Sequence, residues 1–201
     1  MLPNALENVI DALGHLPGVG PRTAERYAYY LFRSDENISK NIAETLLKLH
    51  DKVKSCPKTF ALIDSSEDIS PLYSDEKRDK KTILVVEEPL DIYAIEQTKA
   101  YTGTYHVLGG AISPIDGITA EQLLIKELVS RVKEDGAEEI IIATNPSVEG
   151  ESTALLLQRT LSEKFPNLKI TRLARGLPLG VDLSYADQIT LSAALNNRTN
   201  L

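Results

Sequence analysis

The run Leu16-Pro17-Gly18-Val19-Gly20-Pro21-Arg22-Thr23-Ala24-Glu25-Arg26 lies between two segments with apolar residues at helical spacing. Leu6, Val9, Ile10 and Leu13 precede it, and a second segment continues to Leu31. Gly18 and Gly20 flank Val19 and permit a tight turn whose backbone comes close to whatever lies outside. Gly20-Pro21 predicts a helix start, because proline at the first helical position lacks only an N–H that would have no partner there. The free N–H groups of such a turn and helix start favour an anion.

On a helix over 21–33 the step of about 100° per residue sorts the side chains into two faces. Ala24, Tyr27, Ala28 and Leu31 share one, and Arg22, Arg26, Tyr29 and Arg33 share the other. The first face seats the helix, with Tyr27 predicted in the core. The second, basic with an aromatic between its charges, suits a phosphate backbone. With helices over 5–14 and 21–33 this is the pattern of a helix-hairpin-helix, a binder of nucleic-acid backbone that does not read sequence. The rival is an ordinary helical hairpin whose arginines are solvated or which packs internally.

Composition bounds the rest. The chain has 201 residues, 42% hydrophobic and 25% charged, enough for one or two globular domains. No apolar run spans a bilayer, and Met1-Leu2-Pro3-Asn4 lacks the character of a signal peptide, so no membrane association is expected. The single Cys56 excludes an internal disulfide framework and fits the cytoplasm. The net charge of −7 argues against nucleic acid, but residues 1–60 hold eight Lys/Arg against seven Asp/Glu, so the acidity lies elsewhere. Weak affinity per subunit follows, and several subunits acting together would compensate.

Further along, Ser39–Lys54 predicts a third helix through Ile42, Leu46, Leu49 and Val53. Phe60-Ala61-Leu62-Ile63 reads as a short strand, and Asp75–Lys81 as a solvated charge run. From Thr82 strands alternate with helices. Strands are predicted at 83–86, 105–108, 139–143 and 168–173, and helices at 89–98, 119–134, 148–164 and 184–196. The fold class is α/β: a small N-terminal helical domain, then a mostly parallel, helix-covered sheet, then a C-terminal helical tail.

In such sheets function gathers at the carboxyl ends of the strands. The first strand ends at Glu87, Glu88 and Asp91, and the third at Thr144-Asn145-Pro146-Ser147-Val148-Glu149-Gly150-Glu151. Two readings fit these acids. They hold Mg²⁺, or Glu87 and Glu149 cap helix N-termini, where negative charge is favourable.

The stretches Val86–Glu96 and Ala143–Glu151 resemble the Toprim domain of the RecR family of bacterial recombination mediators. The hairpin 16–24, the run Leu108–Ile118 and the ending Arg172-Leu173-Ala174-Arg175-Gly176-Leu177-Pro178-Leu179-Gly180 fit the same family. The resemblance divides the chain into a helix-hairpin-helix DNA-binding domain (1–54), a degenerate zinc-finger region or linker (55–81), a Toprim domain (82–175) and a C-terminal oligomerisation segment (176–201). It implies a non-enzymatic subunit of a homotetrameric DNA clamp. Such a clamp acts with RecO, and with RecF at gaps, to load RecA on single-stranded DNA, and it meets single- and double-stranded DNA. Gly18, Gly20, Arg22, Arg26, Tyr29 and Arg33 are then the DNA-binding residues, and Glu87, Asp91 and Glu149 the partner-binding acids. A metal-dependent Toprim nuclease or primase is the alternative.

Two departures stand out. The family's four-cysteine zinc site is reduced to Cys56, with Thr59 about where a second cysteine would fall. One thiolate cannot build a tetrahedral site, so no zinc is expected. Packing through Phe60, Leu62, Ile63, Leu72 and Tyr73 should hold the segment instead. The Asp-x-Asp of catalytic Toprim enzymes is Asn145-Pro146-Ser147, which leaves at most a weak Mg²⁺ site at Glu87 and Glu149. His15, His50 and His106 are scattered and read as structural.

Overall fold

A computed structural model describes residues 2–198 and divides the chain into two compact units, 1–54 and 55–201. The last three positions of the predicted C-terminal segment, 199–201, lie outside the described residues. Among the described residues no helix is long and apolar enough to cross a membrane.

The first unit holds three helices, α1 (Asn4–Gly14), α2 (Pro21–Arg33) and α3 (Glu36–Lys52). Helix α3 starts three residues before the predicted Ser39, because the Asp35 carboxylate accepts the Asn37 N–H at 2.8 Å and caps it. It stops at Lys52, and a three-residue strand, β1 (Val53–Ser55), spans the boundary of the units. The core of this unit is thin. Among its described residues only Ala24 and Ala28 are fully buried, and α1 and α3 bury none.

The second unit is built on a parallel four-stranded sheet, β3 (Asp79–Val86), β4 (Gly103–Val107), β5 (Glu139–Ala143) and β6 (Lys169–Arg172), in the order β4-β3-β5-β6. Strand β3 pairs Ile83 with Thr104 on one side and with Ile140 on the other. Alternation then sends Ile83, Val85, Ile140 and Ile142 to one face, where α6 (Ile125–Asp135) and α7 (Val148–Lys164) cover them with Leu128, Val132, Leu157 and Leu161. Leu84, Val86, Tyr105 and Val107 face the opposite way, onto Ile92 of α5 (Pro89–Gln97) and onto Ala61, Phe60 and Leu72. The charge run is partly strand: Asp79, Lys80 and Lys81 open β3 exposed to solvent, and Asp79 pairs with Gly103 before the register shifts ahead of Ile83.

Two predicted elements move. The strand near residue 60 is β2 (Leu62–Asp64), because Phe60 sits in a left-handed turn at φ 60°. The helix predicted from Thr119 begins only at Ile125. The Leu124 N–H donates to the Leu108 carbonyl at 3.0 Å, and its carbonyl accepts from His106 Nε2 at 2.9 Å. Both bonds tie Leu124 to the end of β4, and the first uses the N–H that an earlier helical turn would need, while the carbonyl still accepts the first α6 bond from the Leu128 N–H at 3.1 Å.

Segment 55–81, which includes the short α4 (Pro71–Ser74), is fastened by more than apolar packing. Leu62 faces outward, 55% exposed, contrary to its predicted packing role. The buried Cys56 Sγ accepts the N–H groups of Thr59 at 3.4 Å and Ser70 at 3.3 Å. Lys58 Nζ lies 3.0 Å from the Asp135 carboxylate, and the Tyr73 hydroxyl donates to the same group at 2.8 Å. Burial would raise the Asp135 pKa, but hydrogen bonds from Lys58, Tyr73 and Arg131 outweigh it and hold the carboxyl below its usual value.

After β6 the chain runs through a 3-10 turn (Leu183–Tyr185) to α8 (Gln188–Asn196). Among the described residues this tail buries none of the apolar side chains it carries: Leu179, Tyr185, Ile189 and Leu195 stand largely in solvent.

Candidate functional site

The first candidate surface is the solvent face of α2. Before it, Gly18 adopts φ +78°, a conformation that glycine takes without steric penalty. Gly20 is extended and supplies the helix cap by its carbonyl, which accepts from Thr23 at 2.9 Å and Ala24 at 3.0 Å. No atom lies within 4 Å of where a Cβ would stand on either glycine, so the turn is open to close approach.

Arg22, Arg26 and Arg33 are all exposed, and none makes an ion pair among the described residues. Aromatic rings carry two of them. The Arg26 guanidinium lies 5.6 Å from the Tyr27 ring centroid and that of Arg33 lies 5.8 Å from Tyr29. Tyr27 is therefore not the predicted core residue but 43% exposed, beside Arg26. Tyr29 stands at a border. It lies beneath Arg33 and also lines an apolar groove of about 790 Å³ between α1, α2 and α3, which Phe32, Ile42 and Leu46 share. An exposed apolar groove of this size is a surface awaiting cover.

The second candidate surface is the carboxyl edge of the sheet. Glu87 follows β3, yet its carboxylate is buried at 6% exposure. One oxygen accepts the Asn145 N–H at 2.9 Å and the other the Asn145 Nδ2–H at 2.5 Å. The Glu87 carbonyl accepts from Gly109 and Gly110, both at 3.0 Å. Glu87 thus ties the loops after β4 and β5 to its own strand. Gly150 completes the clamp: a Cβ there would meet the Asn145 carbonyl oxygen at 2.1 Å and Glu87 Oε1 at 2.8 Å.

The other predicted acids stand apart from Glu87 in role. Asp91 accepts the Glu88 N–H at 2.8 Å and so closes the start of α5. Ser147, not Glu149, caps α7, accepting the Gly150 N–H at 3.0 Å, while Glu149 is half-buried in the first turn. Both Glu87 oxygens serve Asn145, and Asn145 and Ser147 carry no charge. Among the described residues no group of three or more His, Cys, Asp or Glu side chains is placed to hold a metal. This donor set does not fit a resident Mg²⁺.

Sequence reasoning passed over a third cluster. Arg172 grips Glu151 through two bonds of 3.0 and 2.9 Å, and Arg175 pairs with the same carboxylate. The hydrogen bonds from Arg172 and then Arg175 hold the Glu151 pKa down at about 2. The signal was there in two arginines spaced three apart at the end of β6, but the acid they meet lies on another element, 21 residues before Arg172. His106 is structural as predicted, buried on β4 with its ring edge-on to Phe60 at 5.4 Å.

This arrangement, a helix-hairpin-helix with a basic face followed by a parallel sheet with a clamped acidic edge, has close relatives. Residues 6–50 match the family described as RecR, helix-hairpin-helix, and residues 176–199 match RecR, C-terminal. Residues 81–174 match the Toprim domain. Recombination protein RecR of Dehalococcoides mccartyi is 44% identical over 196 residues, covering 98% of this chain and 94% of its own. The chain belongs to the RecR family of recombination proteins. The likeness is as full against RecR of Synechococcus elongatus, 47% identical over 196 residues (98% and 96% of the two chains), and RecR of Moorella thermoacetica, 47% identical over 199 residues (99% and 98%). Family membership therefore extends from the hairpin through the Toprim domain to the C-terminal helix.

Proposed function

We propose that this chain is a subunit of a cytoplasmic DNA clamp of recombinational repair and performs no catalysis of its own. It acts with RecO, and with RecF at gaps, to load RecA on single-stranded DNA. The observation that carries the reading is the α2 face, where Arg22, Arg26 and Arg33 stand exposed and unpaired beside the open Gly18–Gly20 turn. Such a face holds phosphates of single or double strands without reading bases. Asp91 and Glu149 belong to the partner-binding edge, and Glu87 supports that edge from beneath. A nuclease or primase reading lacks its carboxylates at Asn145 and Ser147.

The same proposal includes a homotetrameric ring. A first unit with so thin a core and a 790 Å³ apolar groove gains from cover by a second copy, and so does the apolar C-terminal segment. With a net charge of −7 per chain, the few DNA-facing cations gain from being presented several at a time.

The test is DNA binding by the Arg22→Ala, Arg26→Ala double variant across a salt series, with solution mass measured alongside. Affinity should fall about equally for all sequences, and the salt slope should drop by about two on duplex, roughly 0.9 per lost phosphate contact. Unchanged affinity and slope in the folded variant would remove the hairpin from the DNA site. A monomeric mass with DNA present would end the clamp.

We also infer that the fold needs no zinc, because Cys56 is satisfied by backbone N–H groups and Lys58, Tyr73 and Asp135 fasten the segment. A strong chelator should leave the unfolding midpoint unmoved. Elemental analysis finding one zinc per chain in tag-free protein would refute this.

A further inference from the structure

Helix α2 exposes four aromatic side chains, and three of them are occupied. Tyr27 lies beside Arg26, and Tyr29 lies beneath Arg33 on the rim of the apolar groove. Phe32, 77% exposed, lines the same groove. Tyr30 does none of these things. It is 59% exposed and takes no part in lining the groove. Among the described residues its ring has no aromatic or cationic neighbour and its hydroxyl has no hydrogen bond.

The position of Tyr30 follows from the helix step. It lies about 40° round the axis from Arg26 and about 60° from Arg33, and along the axis it stands roughly 6 Å beyond the first and 4.5 Å short of the second. Tyr29 lies on the other side of the line joining those arginines, toward the groove. The residues three and four away from Tyr30 are Arg26, Tyr27, Arg33 and Ser34. None is aliphatic. An aromatic anchor of a protein interface is surrounded by apolar contacts that exclude water, whereas cations and hydroxyls surround this one. A flat ring framed by arginines fits a nucleobase whose phosphates lie on those arginines. Duplex DNA cannot use the ring, because its bases are stacked within the helix and extruding one costs energy.

We infer that Tyr30 stacks on an unpaired base and that this contact makes the α2 face prefer single-stranded to duplex DNA. The inference rests on the DNA reading proposed above and deepens it. The arginines set affinity for any strand, and Tyr30 decides which form of DNA is held more tightly. Stacking needs a π-face and not a particular base, so the preference carries no sequence.

The probes are an oligothymidylate single strand, a strand of abasic sites and a duplex, all of one length, titrated against full-length protein. Tyr30→Ala should weaken oligothymidylate at least about fivefold, the lower end for losing one base stacked on an aromatic. The abasic strand and the duplex should bind the variant as they bind wild type. The salt slope should not change, because no phosphate contact is lost. Tyr30→Phe should keep the wild-type preference. The chain contains no tryptophan, so Tyr30→Trp places a single fluorophore at the site, which oligothymidylate should quench and duplex should not. Tyr30 lies outside the core, so the unfolding midpoint should stay at the wild-type value in all three variants. If wild type binds the probes and Tyr30→Ala weakens none of them, or weakens all three alike, stacking is wrong and the arginine face stands. If wild type binds no DNA, the DNA reading falls and this inference with it.

Discussion

Arg131→Met is expected to destabilise the second unit by about 3–5 kcal/mol, the range for breaking a buried ion pair from one side. Arg131 is 2% exposed, and its Nε donates to Asp135 Oδ2 at 2.9 Å within α6. One terminal nitrogen donates to the Tyr105 carbonyl and the other to Thr104 Oγ1 at 2.7 Å, so a helix charge is spent on the edge strand β4. Its guanidinium also lies 5.2 Å from the Tyr73 ring centroid. Methionine replaces the volume but none of the donors. Asp135, whose side chain is 4% exposed, keeps Lys58 and Tyr73 but stays buried with one cation fewer. The carboxylate is then short of charge compensation where water cannot supply it. Arg131→Met with Asp135→Leu should recover much of the loss, because no orphaned charge remains. Urea unfolding of the three proteins measures this, and a loss below about 1 kcal/mol in the single variant would show that the pair does not hold α6 to β4.

Acid should weaken the protein through His106. Burial pushes its pKa from 6.5 down to about 4. Nε2 meets the Leu124 carbonyl, which only accepts, so Nε2 carries the proton of the neutral ring. Nδ1 is then a bare lone pair with no partner among the described residues. Protonation would create a charged, buried, unpartnered donor near Arg131. The unfolded state therefore binds this proton more readily than the folded state, and stability rises with pH across the interval between the two pKa values. The penalty is absent above about pH 6.5, grows as pH drops, and by about pH 4 amounts to roughly 3 kcal/mol of lost stability. His106→Leu should be less stable than wild type at pH 7.5, having lost the bond to Leu124, but should lose less on acidification. Chemical denaturation at pH 7.5 and pH 4.5 gives the difference, and parallel losses in the two proteins would clear His106 of the effect.

These two residues lie where local pattern is silent. Helix α2 was legible from the chain itself: proline at its first position, alanines at the buried spacing and arginines on the other side all follow from a 100° step. So were the strand cores, where runs such as Ile83–Val86 and Glu139–Ala143 have the apolar continuity of strands covered on both faces. The basic positions on α2 needed no tertiary information, because exposure of one helix face is fixed once the other is buried.

Tertiary structure alone decided the rest, because those outcomes depend on partners distant in sequence. Tyr27 has an aromatic's preference for the core, but it shares its helix with only two fully buried alanines and stays out beside Arg26. Glu87 looks like its neighbour Glu88 in sequence, but alternation at the end of β3 sends one beneath the edge to Asn145, 58 residues on, and leaves the other in solvent. Cys56 suggests a lost metal, and only the folded chain brings the Ser70 N–H to its sulfur. The start of α6 was misplaced for the same reason. Periodicity over 119–124 satisfies a helix, but the Leu124 N–H is already donated to the Leu108 carbonyl, and an N–H held in that tertiary bond cannot also close a helical turn.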